Sequence, residues 1–187
     1  MVTAAPLPLH RWTVEDYDRM VAAGVLTKED EVELIDGEVV DVASMGAPHA
    51  YVVRRLDLML QRLVGDRAIV QVQAPVRIPP RSEPEPDLAL LRWRGDFYPD
   101  LPGAADVLLV IEVADSSARS DRRRKVPLYA GAGIPQLWLV DVSAGVLEDH
   151  RGPEGGGYRE VTVLRPGQRA AVGMLADVSV DVGDLVS

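Results

Sequence analysis

Apolar positions recur along this chain in two rhythms, and the switches between them predict its elements. Thr13 followed by Asp16 has the form of a helix start. Val14, Tyr17, Met20 and Val21 then keep helical spacing until Gly24, which predicts a short amphipathic helix. In EVELIDGEVVDV, Asp36-Gly37 separates two apolar-rich runs and suits the two-residue turn of a β-hairpin. From Pro48 to Val64 the helical period returns in Val52, Val53, Leu56, Met59, Leu60 and Leu63, with Arg54, Arg55, Asp57 and Arg62 mostly between them. This predicts a helix with one face on the core.

Past Gly65-Asp66 the rhythm shortens. Ala68 to Gln73 and Val76 to Ile78 read as strands, and Pro79-Pro80 stops regular pairing. Asp87 to Leu91 is a short strand, and Val107 to Val113 (VLLVIEV) is the apolar, β-branched run expected of a central strand buried on both faces. Ser120 can cap a helix that runs to about Ala132, with Gly131 or Gly133 near its end, before a further buried strand from Gln136 to Val142. Gly152 to Gly157 reads as a hairpin loop, Tyr158 to Leu164 as an alternating strand, and Val172 to Val186 as an irregular finish. Only the connection from Glu112 to Asp141 is long enough for a parallel crossover. The expected fold is therefore an α/β (α+β) domain with a mixed β-sheet core flanked by helices and an N-terminal hairpin.

Composition narrows the chemistry. The 187 residues suit one domain spanning 1–187, with 47% apolar residues to fill its core. No apolar run approaches the roughly 20 residues that cross a bilayer, and MVTAAPLPLHRW does not resemble a signal peptide, so the expectation is a cytoplasmic protein with no membrane partner. Without cysteine there is no disulfide, thiolate nucleophile or sulfur ligand, and His10, His49 and His150 are scattered, so a metal would take mainly oxygen ligands. A net charge of −9 argues against coating nucleic acid by bulk electrostatics. An enzyme is still possible, because a metal site gathers carboxylates and its cation inverts the local field.

Glu112 stands out because a carboxylate in a buried apolar strand is costly unless it is paired or bound to a metal. On a period of two it points the same way as Leu108 and Val110. Asp87 opens a neighbouring short strand after Pro86, so the two acids could meet at one sheet edge and offer oxygens to Mg²⁺ or Mn²⁺. An arginine partner for Glu112, and an ordinary strand-start role for Asp87, are the structural alternatives. Lys125 and Tyr129 share one face of the following helix, where an ammonium could orient water and offset charge on a phosphate. Arg122, Arg123, Arg124 and Lys125 could equally be a solvated charge run, and Pro127 removes one hydrogen bond from that helix. Serine-hydrolase elbows, P-loops and His-x-x-x-His zinc motifs are absent.

Taken together, VELIDGEVV, His49 before a long helix, PEPDLAL, LLVIEVADSS, RRRKVPLYAGAGIPQLWLVD and LADVSVDV resemble the bacterial putative restriction endonuclease family. That family is similar to the wider PD-(D/E)XK nucleases. The likeness runs from about Thr13 to Val182 and is most specific between Pro86 and Asp141. It implies Asp87 and Glu112 as ligands of Mg²⁺ or Mn²⁺, helped by the backbone carbonyl of Val113. The superfamily's lysine two residues beyond the second acid is Ala114 here; the resemblance moves that role to Lys125, with Tyr129 one turn on. Glu33 matches an acidic position that would contact metal or water, and His49 one that would contact phosphate or the scissile site; a solvent-facing hairpin residue and a capping or packing histidine are the structural alternatives.

The function implied is a metal-dependent endonuclease acting on DNA as a homodimer, with Asp87, Glu112, Lys125, Tyr129, Glu33 and His49 in the catalytic site and Asp87, Glu112 and Val113 holding the metal. A catalytically inactive module that binds nucleic acid or protein on the same fold is the alternative. The intact Asp87, Glu112 and Lys125 set favours the enzyme, while the acidic charge and the displaced lysine favour the module.

Overall fold

The computed structural model describes residues 9–42, 45–114 and 118–186. Helix α1 (Val14–Ala22) opens on the expected capping box, in which the Thr13 hydroxyl accepts from the Asp16 amide and the Asp16 carboxylate accepts from the Thr13 amide. Strands β1 (Val32–Ile35) and β2 (Glu38–Asp41) form the hairpin. Its turn has φ of 48° at Asp36 and 76° at Gly37, the type I′ geometry matched to strand twist. Only glycine suits the second position, because a Cβ on Gly37 would lie 2.8 Å from the Cβ of Arg11.

Helix α2 (Ala47–Val64) buries Val52, Val53, Leu56 and Leu60 as its period requires. Its last turn departs from the expected pattern: Val64 is buried and Leu63 is exposed, because the face follows a four-residue step from Leu60.

The central sheet has six strands in the spatial order β3 (Ala68–Val72), β4 (Leu88–Arg92), β5 (Val107–Ala114), β6 (Gln136–Asp141), β7 (Val146–Glu154) and β8 (Gly157–Leu164). Every neighbouring pair is antiparallel except β5 and β6, which are joined by helix α3 (Ala118–Gly131). Helix α2 covers one face, packing against Leu88, Leu90, Leu109, Ile111, Val113 and Trp138. Helix α3 covers the other, where Tyr129 meets Val110, Ile134 and Leu137. The C-terminal strands β9 (Arg169–Ala171) and β10 (Ser179–Asp181) pair with each other, and together with helix α4 (Gly183–Val186) they extend the α2-side core through Ala170, Val180 and Leu185. No helix among the described residues is long and apolar enough to cross a membrane.

Val76 to Ile78 is not a strand but a segment tied by single bridges to Gly103 and Ser82. Helix α3 starts at Ala118, so Ser120 lies inside it, and it continues through Pro127. The hairpin loop shrinks from Gly152–Gly157 to Gly155 and Gly156, both in the left-handed region, as strands β7 and β8 run closer together. Strand β5 carries a bulge: Leu90 pairs with Leu109 but Leu91 pairs with Val107, leaving Leu108 as the extra residue. Leu108 therefore packs on the α2 side, and the strand residues that share the α3-side face with Glu112 are Val110 and Val107 instead of Val110 and Leu108.

Candidate active site

The site lies where β5 ends and β4 begins. Leu88 pairs with Ile111, so one further step of the antiparallel register sets Asp87 opposite Glu112. The Val113 N–H donates to Asp87 Oδ2 at 2.8 Å, and His49 Nε2, from the first turn of α2, lies 3.0 Å from the same oxygen. An ionised carboxylate only accepts, so this contact draws the imidazole hydrogen to Nε2. The backbone carbonyl of Asp87 accepts from the Gln73 amide at 3.1 Å.

Glu112 is buried, and both its partners come from α3. Tyr129 donates its hydroxyl to Oε1 at 2.7 Å, while Lys125 Nζ lies 3.2 Å from Oε1 and 3.3 Å from Oε2. The spacing of 125 and 129 accounts for this: residues four apart share a helix face, and α3 returns across the β5 end on its way to β6. Lys125 also reaches Glu33 Oε1 at 3.2 Å. Glu33 arrives from the hairpin because β1 docks on the segment before Asp87: the Glu83 N–H donates to the Leu34 carbonyl at 2.8 Å, and the Asp36 N–H to Ser82 Oγ at 2.9 Å.

The six side chains singled out in the sequence thus converge: Asp87 with His49, and Glu112 with Lys125, Tyr129 and Glu33. Glu112 is paired with Lys125 and Tyr129, with no arginine partner among the residues whose side chains are described, and Glu33 is buried instead of facing solvent. Lys125 turns inward, with its side chain 12% exposed, whereas that of Arg124 is 56% exposed.

Burial pushes the Glu112 carboxyl up to about 7; Lys125 and Tyr129 oppose the rise, and Asp87 and Glu33 add to it. Burial works against the Lys125 ammonium, but Glu112 and Glu33 outweigh it and hold the lysine charged above its ordinary range. The Tyr129 hydroxyl is raised well above its usual value, first by burial and then by Glu112.

A groove of about 1340 Å³ opens over these groups, bounded by the hairpin, the start of α2 and the loop before Asp87. It contains two further residues that sequence reasoning does not single out. Glu85, two positions before Asp87, has its carboxyl raised by burial and by Glu33 and Glu83. Gln73 holds a left-handed φ of 44° at the groove edge. The repeated acid-proline pattern of EPEPD is a signal for Glu85; the sequence around Gln73 carries none.

The sign of the Glu112 shift has a measurable consequence. An acid raised on folding contributes stability below its ordinary value of 4.5 and loses it as pH rises through about 7. In chelator, the stability of the wild type relative to Glu112→Gln is expected to fall from pH 4.5 to 7. Urea unfolding at several pH values checks this, and a flat difference would refute it.

The fold defines the class: a mixed sheet flanked by helices, with its one parallel pair joined by a crossover helix, is a restriction-endonuclease-like fold. Residues 14–183 match the Uma2 family, described as "Putative restriction endonuclease", and the chain belongs to that family. Its structure is similar to the crystal structure of "a putative nuclease belonging to DUF820" from Anabaena variabilis, with a TM-score of 0.76 at 15% sequence identity, over 93% of this chain and 97% of that one. No curated protein matches the chain.

Proposed function

We propose that this protein is a metal-dependent endonuclease that hydrolyses phosphodiester bonds in DNA. The observation that carries this reading is the meeting of Asp87, Glu112 and Lys125 at one sheet edge, with the ammonium 3.2 Å from the Glu112 carboxylate. A purely structural ion pair would leave unexplained why Glu33 and Glu85 also gather around the same lysine, and why Asp87 lines the same open groove.

The donors suit Mg²⁺ or Mn²⁺. All are hard oxygens: the carboxylates of Asp87 and Glu112, and the carbonyl of Val113, which in an extended residue faces the same side as the N–H bonded to Asp87. Among the described residues no three Asp, Glu or His side chains cluster tightly enough to cage an ion, and Mg²⁺ is commonly held by one or two carboxylates while keeping several waters. When bound, such an ion supplies Lewis-acid stabilisation of charge on the phosphate and eases ionisation of water.

The protein's own groups do the rest. His49 and the Val113 N–H fix the Asp87 carboxylate, and Tyr129 fixes that of Glu112. Lys125, held between two acids, orients the attacking water and offsets charge building on the phosphate. Cutting both strands of a duplex takes two such sites, for which a cytoplasmic C₂ homodimer is the simplest assembly.

The test is incubation of the purified chain with end-labelled DNA, single-stranded and duplex, and with RNA, each with Mg²⁺ or Mn²⁺. Cleavage of DNA that stops on adding EDTA is the expected result. If no nucleic acid is cut with either ion, the reading as a non-catalytic binding module takes its place.

A further inference from the structure

We propose that Glu33 accepts the proton of the attacking water, an assignment that rests on the hydrolase reading above. Its side chain is 5% exposed. Oε1 is held by Lys125 at 3.2 Å, but Oε2 is buried without a hydrogen-bond partner among the described residues. A buried oxygen left this way carries an uncompensated desolvation cost, which folding tolerates where a ligand completes the site. Glu33 lines the groove that also holds Asp87, Glu112 and Lys125, so the missing partner arrives from the groove.

Charge decides what that partner is. The ammonium already on Oε1 repels a second cation, and a carboxylate can only accept, so the complement of Oε2 is a neutral donor. Water fits. A water donating to Oε2 sits beside Lys125, whose other contact is the Glu112 carboxylate. The other nearby groups are less suited to take its proton. Lys125 is an ammonium between two acids, Glu112 is engaged by Lys125 and Tyr129, and Oδ2 of Asp87 is engaged by Val113 and His49.

In the step itself, the water oxygen forms a bond to phosphorus while one of its protons passes to Glu33 Oε2. The bridging P–O bond breaks, and its oxygen leaves with the electron pair and takes a proton from solvent. Glu33 then releases its proton to solvent, so the net change is the addition of one water across the phosphodiester.

The decisive variant is Glu33→Gln, which keeps the shape and an oxygen for Lys125 but has little basicity. Expected are a loss of about 10²- to 10⁴-fold in kcat with KM little changed, Mn²⁺ affinity by calorimetry within about twofold of wild type, and a folded protein whose thermal midpoint falls only modestly, since Glu112 still pairs with Lys125. A crystal structure of the wild type with Mn²⁺ should show a water at Oε2. Glu33→Gln cleaving within about threefold of the wild-type rate overturns the assignment while leaving the hydrolase reading intact. So does a tenfold loss of Mn²⁺ affinity, or a cation at Oε2, since either would make Glu33 a metal ligand. A wild type that cleaves nothing overturns the hydrolase reading, and this assignment with it.

Discussion

Replacing Lys125 with alanine is expected to lower Mg²⁺-dependent DNA cleavage about 10²- to 10³-fold without weakening the binding of the ion, the scale seen when one preorganised electrostatic group is removed from an active site. The lysine is not a ligand: Nζ is a donor, and it competes with the ion for the Glu112 carboxylate that it approaches at 3.2 Å. Removing it therefore leaves metal affinity equal to or tighter than wild type. The same change leaves Glu33 and Glu112 as buried acids without their cation, and breaking a buried pair by deleting one partner costs about 3–5 kcal/mol when the survivor stays charged. Part of that cost is avoided if the carboxyls take up protons, so destabilisation should be milder at pH 5 than at pH 8. Lys125→Met, which keeps the length and apolar stem, separates loss of charge from loss of packing. Single-turnover cleavage, Mn²⁺ calorimetry and thermal melts of both variants give the answer. A Lys125→Ala protein that cleaves at the wild-type rate would remove the lysine from the mechanism.

Part of this site is legible in the sequence because burial makes chemistry conspicuous. Glu112 interrupts a run of eight buried strand residues, and an acid in such a place is costly without a partner. The pairing of Lys125 with Tyr129 follows from helical spacing alone. Other features are hidden for physical reasons. Strand β7 shows little apolar alternation because two of the three side chains it buries are polar: beside Leu147, Asp149 and His150 sit at 6% and 7% exposure, where apolar residues are expected. The structure accommodates Asp149 by satisfying it fully, with donors from Gln136 at 2.7 Å, Trp138 at 3.1 Å and Arg151 at 2.9 Å. These partners lie 11 and 13 residues away on β6 and two away on β7, so only the completed sheet discloses them. The β5 bulge is equally invisible, since nothing in VLLVIEV marks Leu108 as the residue to be skipped. The hairpin lies between these cases. Its turn is clear from Asp36-Gly37, but the docking of β1 that carries Glu33 to Lys125 depends on Ser82 and Glu83, which sequence spacing does not connect to it.

Asp87 is the position where metal binding and folding can be separated most cleanly. Asp87→Ala is expected to abolish both cleavage and Mn²⁺ binding, because it takes away one of the two carboxylates proposed to hold the ion. It also strips the acceptor from the Val113 N–H and from His49, and leaving buried donors unmatched costs about 1–3 kcal/mol. Asp87→Asn keeps an amide oxygen that the Val113 N–H can reach at the same 2.8 Å, so its stability should stay close to wild type. Its amide carries no charge, however, and a neutral oxygen is a far weaker ligand for a hard divalent cation than a carboxylate. Both variants should therefore be inactive and metal-free, and only the alanine variant should unfold earlier in urea. That pattern distinguishes Asp87 from Lys125, whose loss should spare metal binding. If Asp87→Asn bound Mn²⁺ with wild-type affinity, Asp87 would be a structural acceptor for Val113 and His49, and the ion would have to be sought among Glu33, Glu85 and Glu112.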